Sequence, residues 1–83
     1  MRPDDLRRLL ASQPFCPFRV FVSDGAAYDV THPEIGMVVH MSLRIALRPG
    51  SILEPPRQRF VFVSVIHITR VEVYYPLESS PPS

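Results

Sequence analysis

Residues 18–23, Phe-Arg-Val-Phe-Val-Ser, carry a pattern that only a half-buried strand uses. Phe18, Val20 and Val22 fall on one face; Arg19, Phe21 and Ser23 fall on the other. Asp24-Gly25 follows at once, and that pair predicts a two-residue hairpin turn with φ > 0 at both central positions. Tyr28 and Val30 continue the return strand, with Asp29 and Thr31 facing the opposite way. His32-Pro33 then interrupts the ladder, because Pro has no N–H to donate. Gly36 provides for a bend or bulge soon after.

The alternation resumes from Met37 to Leu47. Val39, Met41, Leu43, Ile45 and Leu47 share one face in a continuous strand; Val38, His40, Ser42, Arg44 and Ala46 share the other. Eleven residues exceed an ordinary strand, so the segment is either one curved strand or two strands hinged near His40 to Ser42. Arg48 to Gln58, with four prolines and glycines, reads as a loop. Phe60 to Val65 is the next strand, a tight turn is expected at Ser64 to Ile66, and His67 to Val73 is the last strand.

Ahead of the hairpin, residues 3–12 read as a short helix. Leu6, Leu9 and Leu10 make a narrow apolar stripe, Pro3 suits the first turn, and Asp4 and Asp5 sit at the positive end of the dipole. Arg2 is a weak N-cap. Pro14 pushes Gln13 out of the helical region and ends the helix. So short a helix persists only if its leucines dock on something. Phe15 is then placed as a plug between helix and sheet.

With 83 residues the chain holds one small domain, assigned to residues 1–75, and a Pro/Ser-rich tail, 76–83, expected to be disordered. The expected fold class is mainly β (α+β). A short N-terminal helix caps a strongly bent five-stranded antiparallel sheet or small barrel, because too few residues remain for a two-sheet sandwich. No apolar run approaches a membrane span, and the acidic start argues against a secretory signal, so the expected setting is the cytoplasm. All nine basic residues are Arg, and Lys and Asn are both absent. A GC-rich coding sequence accounts for this, and a formal charge of +1 exerts no global pull on nucleic acid or membrane.

Chemistry-bearing residues are sparse. His32, His40 and His67, with Glu34, are too scattered for metal-ligand spacing, so no metal or cofactor is expected. Cys16 lies between Phe15 and Pro17 and reads as a small packed hydrophobe. Asp24 and Asp29 are the nearest carboxylate pair outside the helix, and Asp24 already has a turn role. Tyr74 and Tyr75 read as a core or interface plug. No set of acid, base and nucleophile converges, so no enzyme is expected.

Two features point to association instead. Arg44 and Arg48 end one strand while Arg57 and Arg59 begin the next. If those strands pair, four guanidiniums gather at one rim suited to anion or nucleic-acid binding; Arg7 and Arg8 form a weaker second patch. Across Phe60–Ile68, apolar residues occupy both faces of a strand, and three helix leucines cannot cover the surplus. Phe60, Val61, Phe62, Val63, Val65 and Ile68 are therefore the candidate subunit interface.

The order Pro14-Phe15-x-Pro17-Phe18-Arg19, Ser23-Asp24-Gly25, Tyr28-x-Val30-x-His32-Pro33-Glu34 and His67-Ile68-Thr69-Arg70-Val71-Glu72 resembles a group of small uncharacterised bacterial proteins. More distantly, the layout is similar to Sm-like proteins, which have an N-terminal helix and five bent strands. Those proteins assemble into rings through their fourth and fifth strands and often bind single-stranded RNA. Where that family has Asp and Asn in its first RNA motif, this chain has no acid and Ser42; at the second it has Ile66-His67. The resemblance implies a homo-oligomer of small barrels. The reading is a non-enzymatic, self-associating binding or scaffold module; its alternative is a ring for RNA, and an acidic protein is the other partner considered.

Overall fold

The computed structural model describes residues 1–47 and 58–77. Helix α1 spans Pro3–Ala11. Strands β1 (Phe18–Val22) and β2 (Ala27–Val30) are followed by a 3-10 turn at Pro33–Ile35. Then come β3 (Gly36–Val39), β4 (Ser42–Leu47), β5 (Arg59–Ser64), a second 3-10 turn at Val65–His67, and β6 (Ile68–Val73).

The strands form two three-stranded antiparallel sheets, ordered β2-β1-β6 and β3-β4-β5. This corrects the expectation of one five-stranded sheet or closed barrel. Two chain corners cause the difference. Pro33 breaks the ladder, and the 3-10 turn there sends β2 into one sheet and β3 into the other. The turn at Val65–His67 separates β5 from β6 in the same way, and those two strands do not pair. The seam between them stays open. Of the loop expected at Arg48 to Gln58, all but Gln58 lies outside the described residues, as does most of the expected tail.

The β1–β2 hairpin is present, with a different turn. Val22 N donates to Ala26 O (2.9 Å), and Gly25 N donates to Val22 O (2.9 Å). Ser23, Asp24 and Gly25 thus make a three-residue loop in which Gly25 alone has positive φ, at 92°. That is a type I turn closed by a left-handed glycine, and Asp24 needs no unusual backbone. Its carboxylate accepts from Ala26 N at 2.9 Å and holds the loop shut.

The Met37–Leu47 segment resolves into two strands. Val39 pairs with Ser42, leaving His40-Met41 as a two-residue turn with His40 at φ 54°. A side chain other than glycine there costs up to about 1–2 kcal/mol. His40→Gly is accordingly expected to change stability by no more than about 1 kcal/mol, and towards greater stability, because relief of strain outweighs the added chain entropy. Urea unfolding measures it, and a clear loss of stability would contradict the strain.

The core lies between the sheets. Phe18, Val20, Val30 and Ile68 enter from one sheet, Leu43, Ile45 and Val63 from the other, and Val65 from the corner. Phe15 packs against this core with its ring 6.1 Å from that of Phe18. Leu6 is the buried residue of α1, which rests on β3 and β4. Gly36 lets the helix come this close: a Cβ there would lie 2.9 Å from Leu10 Cδ2 and 3.4 Å from Val30 Cγ1. Its φ of −113° is ordinary, so the position needs space rather than glycine's freedom. At the helix start, Asp5 accepts from Arg2 N at 3.1 Å; at its end, Ser12 Oγ donates to Arg8 O at 2.8 Å.

Candidate interaction surface

The outer faces of the two sheets differ in kind. On β2-β1-β6, Arg19 lies opposite both Asp29 and Glu72 in register. Its guanidinium makes a two-pronged contact with Asp29, Nε–Oδ1 2.7 Å and Nη2–Oδ2 3.0 Å. Hydrogen bonding from Arg19 holds the Asp29 carboxyl below its ordinary value, and the same bond raises the Arg19 pKa. Arg70 lies 3.9 Å over the Phe21 ring and 3.6 Å from Glu72. Within the strands of this face each charge is matched and Phe21 is covered, while Tyr74, just past β6, is exposed. It is a face built for water.

On β3-β4-β5 the outward positions are Met37, Val39, Ser42, Arg44, Ala46, Phe60, Phe62 and Ser64, set by the register Met37↔Arg44↔Phe62. Met37 is 48% exposed, Phe60 48% and Phe62 62%. Arg44 stands 4.8 Å over the Phe60 ring. Beyond the strand ends, Met41 is exposed, and Ile66 is 71% exposed on the corner. Exposure of several large apolar side chains on one sheet face makes it the candidate interaction surface.

The expected Arg rim is only partly described. Arg48 and Arg57 lie outside the described residues. Arg44 and Arg59 point to opposite faces, since Arg59 pairs with Leu47 on the core side while Arg44 pairs with Phe62 on the outer side. Of the six interface candidates, Phe60 and Phe62 face outwards and are exposed. Val61 is half-buried on the core side, and Val63, Val65 and Ile68 are buried in the core. The spacing Phe60-x-Phe62 in a strand already places both rings on one face, and that was the signal to follow.

Strand edges add a second element. Val65 N donates to Met41 O at 2.8 Å, which fixes the phase of the β4–β5 ladder. Along β5, residues 59, 61 and 63 then direct their backbone groups to β4, while Phe60, Phe62 and Ser64 direct theirs to the open edge. Tyr74 N donates to Pro17 O at 2.8 Å, so on β6 the backbone groups of Val71 and Val73 face away from β1. Among the described residues no strand covers either edge.

Other candidates hold structural posts. His32, His40 and His67 are exposed, and no three metal-ligating side chains cluster among the described residues. His67 Nδ1 lies 3.4 Å from Ser23 Oγ, beside the backbone bond from Ser23 N to His67 O (2.9 Å), in an open cleft of about 450 Å³ between the hairpin loop and β5. Cys16 is half-buried in the wall of an apolar cleft of about 340 Å³ with Leu9, Val73 and Tyr75. Arg7 pairs with Asp4 at 2.8 Å. Tyr74 and Tyr75 are exposed. No helix among the described residues is long and apolar enough to cross a membrane. No family of known sequences, no curated protein and no solved structure matches this chain.

Proposed function

We propose that the chain is a non-enzymatic, self-associating binding or scaffold module, in which the β5 edge of one copy pairs with the β6 edge of the next in the manner of Sm-like proteins. Of the four edge strands β2, β6, β3 and β5, the supporting observation is that β5 and β6 lie on separate sheets on either side of one corner, and no strand among the described residues covers them. An open edge offers unpaired N–H and C=O groups to another chain. Order along the chain agrees: a helix, then strands whose first member is central in one sheet and whose last two flank a corner. Binding of single-stranded RNA is a second reading, favoured by the exposed rings with Arg44 over one of them.

Ser64→Pro tests the edge. Ser64 already has φ −65°, the value proline imposes, and its N–H points to the open side. The variant should keep its circular dichroism and unfolding midpoint and run as a monomer by native mass spectrometry, where the parent chain gives a closed oligomer. A parent chain that is monomeric at high micromolar concentration, or a variant that still assembles, would remove the proposal.

A further inference from the structure

Arg44 is the one charged side chain among the outward positions of β3-β4-β5, flanked in register by Met37 and Phe62 and stacked on Phe60. Among the described residues it makes no ion pair, and neither do Arg2, Arg8 and Arg59; Arg44 differs from these in standing among the apolar outward positions of the sheet. Arg44 is half-buried as a residue, and a guanidinium that stands among apolar side chains with no acid on the same face is complemented by an anion carried on an apolar support.

We infer that the outer face of β3-β4-β5 docks an apolar segment of a different protein that presents a carboxylate to Arg44. Its outward positions hold two aromatic rings, methionine, valine and one arginine with no acid, beside Ser42, Ala46 and Ser64. A second copy does not fit. Packing two such faces together brings no carboxylate to either Arg44, since the outward positions of β3-β4-β5 hold no acid. Head-to-tail packing onto the other sheet meets Asp29 and Glu72, which already serve Arg19 and Arg70. A nucleic acid fits less well than a protein. Met37, Val39, Met41 and Ile66 give a base edge or phosphate nothing to hydrogen-bond, and one guanidinium with a formal charge of +1 supplies little counter-ion release.

The inference concerns the face, while the proposal above concerns the edges, so the two can fail separately. The test uses three synthetic amphipathic peptides of identical leucine/phenylalanine stripe that differ at one central residue, Glu, Gln or Lys. They are titrated into the full chain and its Ser64→Pro variant, with backbone amide shifts followed by NMR. The Glu peptide should shift Met37, Arg44 and Phe62 and bind about tenfold tighter than the Gln peptide, the size of one charge-assisted hydrogen bond. Arg44→Glu should invert the order so that the Lys peptide binds best, and Phe62→Ser should weaken all three; dispersed spectra of both variants establish that they fold. Three outcomes overturn the inference: equal affinity of the three peptides, a single-stranded thymidine oligonucleotide shifting the same residues more strongly than the Glu peptide, or Glu54→Gln alone moving Arg44 and Phe62, which would assign the carboxylate to the chain's own segment.

Discussion

Phe18→Ala should remove a large share of the stability of this domain. Phe18 is 0% exposed and is the largest fully buried side chain. It sits on the central strand β1, opposite Val30 on one side and Val73 on the other. Truncation of a buried phenylalanine costs about 3–5 kcal/mol, part transfer and part cavity. A domain of this length has about 4–12 kcal/mol in all. Its neighbours cannot close the hole: Val20 and Val30 are held by ladders, and Phe15 is tied by the connector. The unfolding midpoint should fall by roughly 12–40 °C, at about 4–8 °C per kcal/mol. Phe62→Ala is the control. It removes a ring of similar size from an exposed position and should stay within about 0.5 kcal/mol. A Phe18→Ala loss below about 1 kcal/mol would mean the two sheets do not share one core.

Leu6→Ala should detach α1. Leu6 is the helix residue buried outright, with Leu9 and Leu10 only partly covered. The expected cost is about 2–5 kcal/mol. Nine helical residues cannot persist undocked, since nucleation alone outweighs the few hydrogen bonds they make. The loss should therefore show locally. Amides of residues 4–11 and of the adjoining face of β3 and β4 should exchange fastest, and helical circular dichroism should fall before the sheets melt. Helix amides as protected as in the parent chain would count against docking through this leucine.

Much of this architecture was legible in the residues. The helix ends one residue earlier than its pattern suggested, and every expected strand is present. Phase was harder to read than position. In Met37–Leu47 the sequence keeps apolar residues at odd positions up to Leu47, so Val39 and Met41 read as partners of Leu43. The two-residue turn pairs Val38 with Leu43 instead, and the core face of β3 passes to even positions. Three successive apolar residues, Met37, Val38 and Val39, hide that change of parity. His40 hides the turn itself, because it holds a backbone conformation that glycine or asparagine would have announced.

The same limit governs the surface. Apolar residues on both sides of β5 were visible from composition alone. The pairing of Arg44 with Phe62 and of Arg59 with Leu47 was not, because it depends on the register between two strands that eleven residues of sequence separate. The contrast between the two outer faces is readable only once β1 is known to lie between β2 and β6, which brings Arg19, Asp29 and Glu72 together from three parts of the chain.

The corner at Val65–His67 has a consequence for size. It holds β5 and β6 at a fixed angle, and the two rims it divides are unlike: phenylalanines flank one, Arg70 and Glu72 the other. An object with two unlike sticky ends has polarity. Joined head to tail, such objects stop growing only when the angle divides a full turn, and otherwise run on as a filament. Under the edge pairing proposed above, three residues of backbone, tied to the hairpin loop by one bond from Ser23 N to His67 O, would set how many copies an assembly contains.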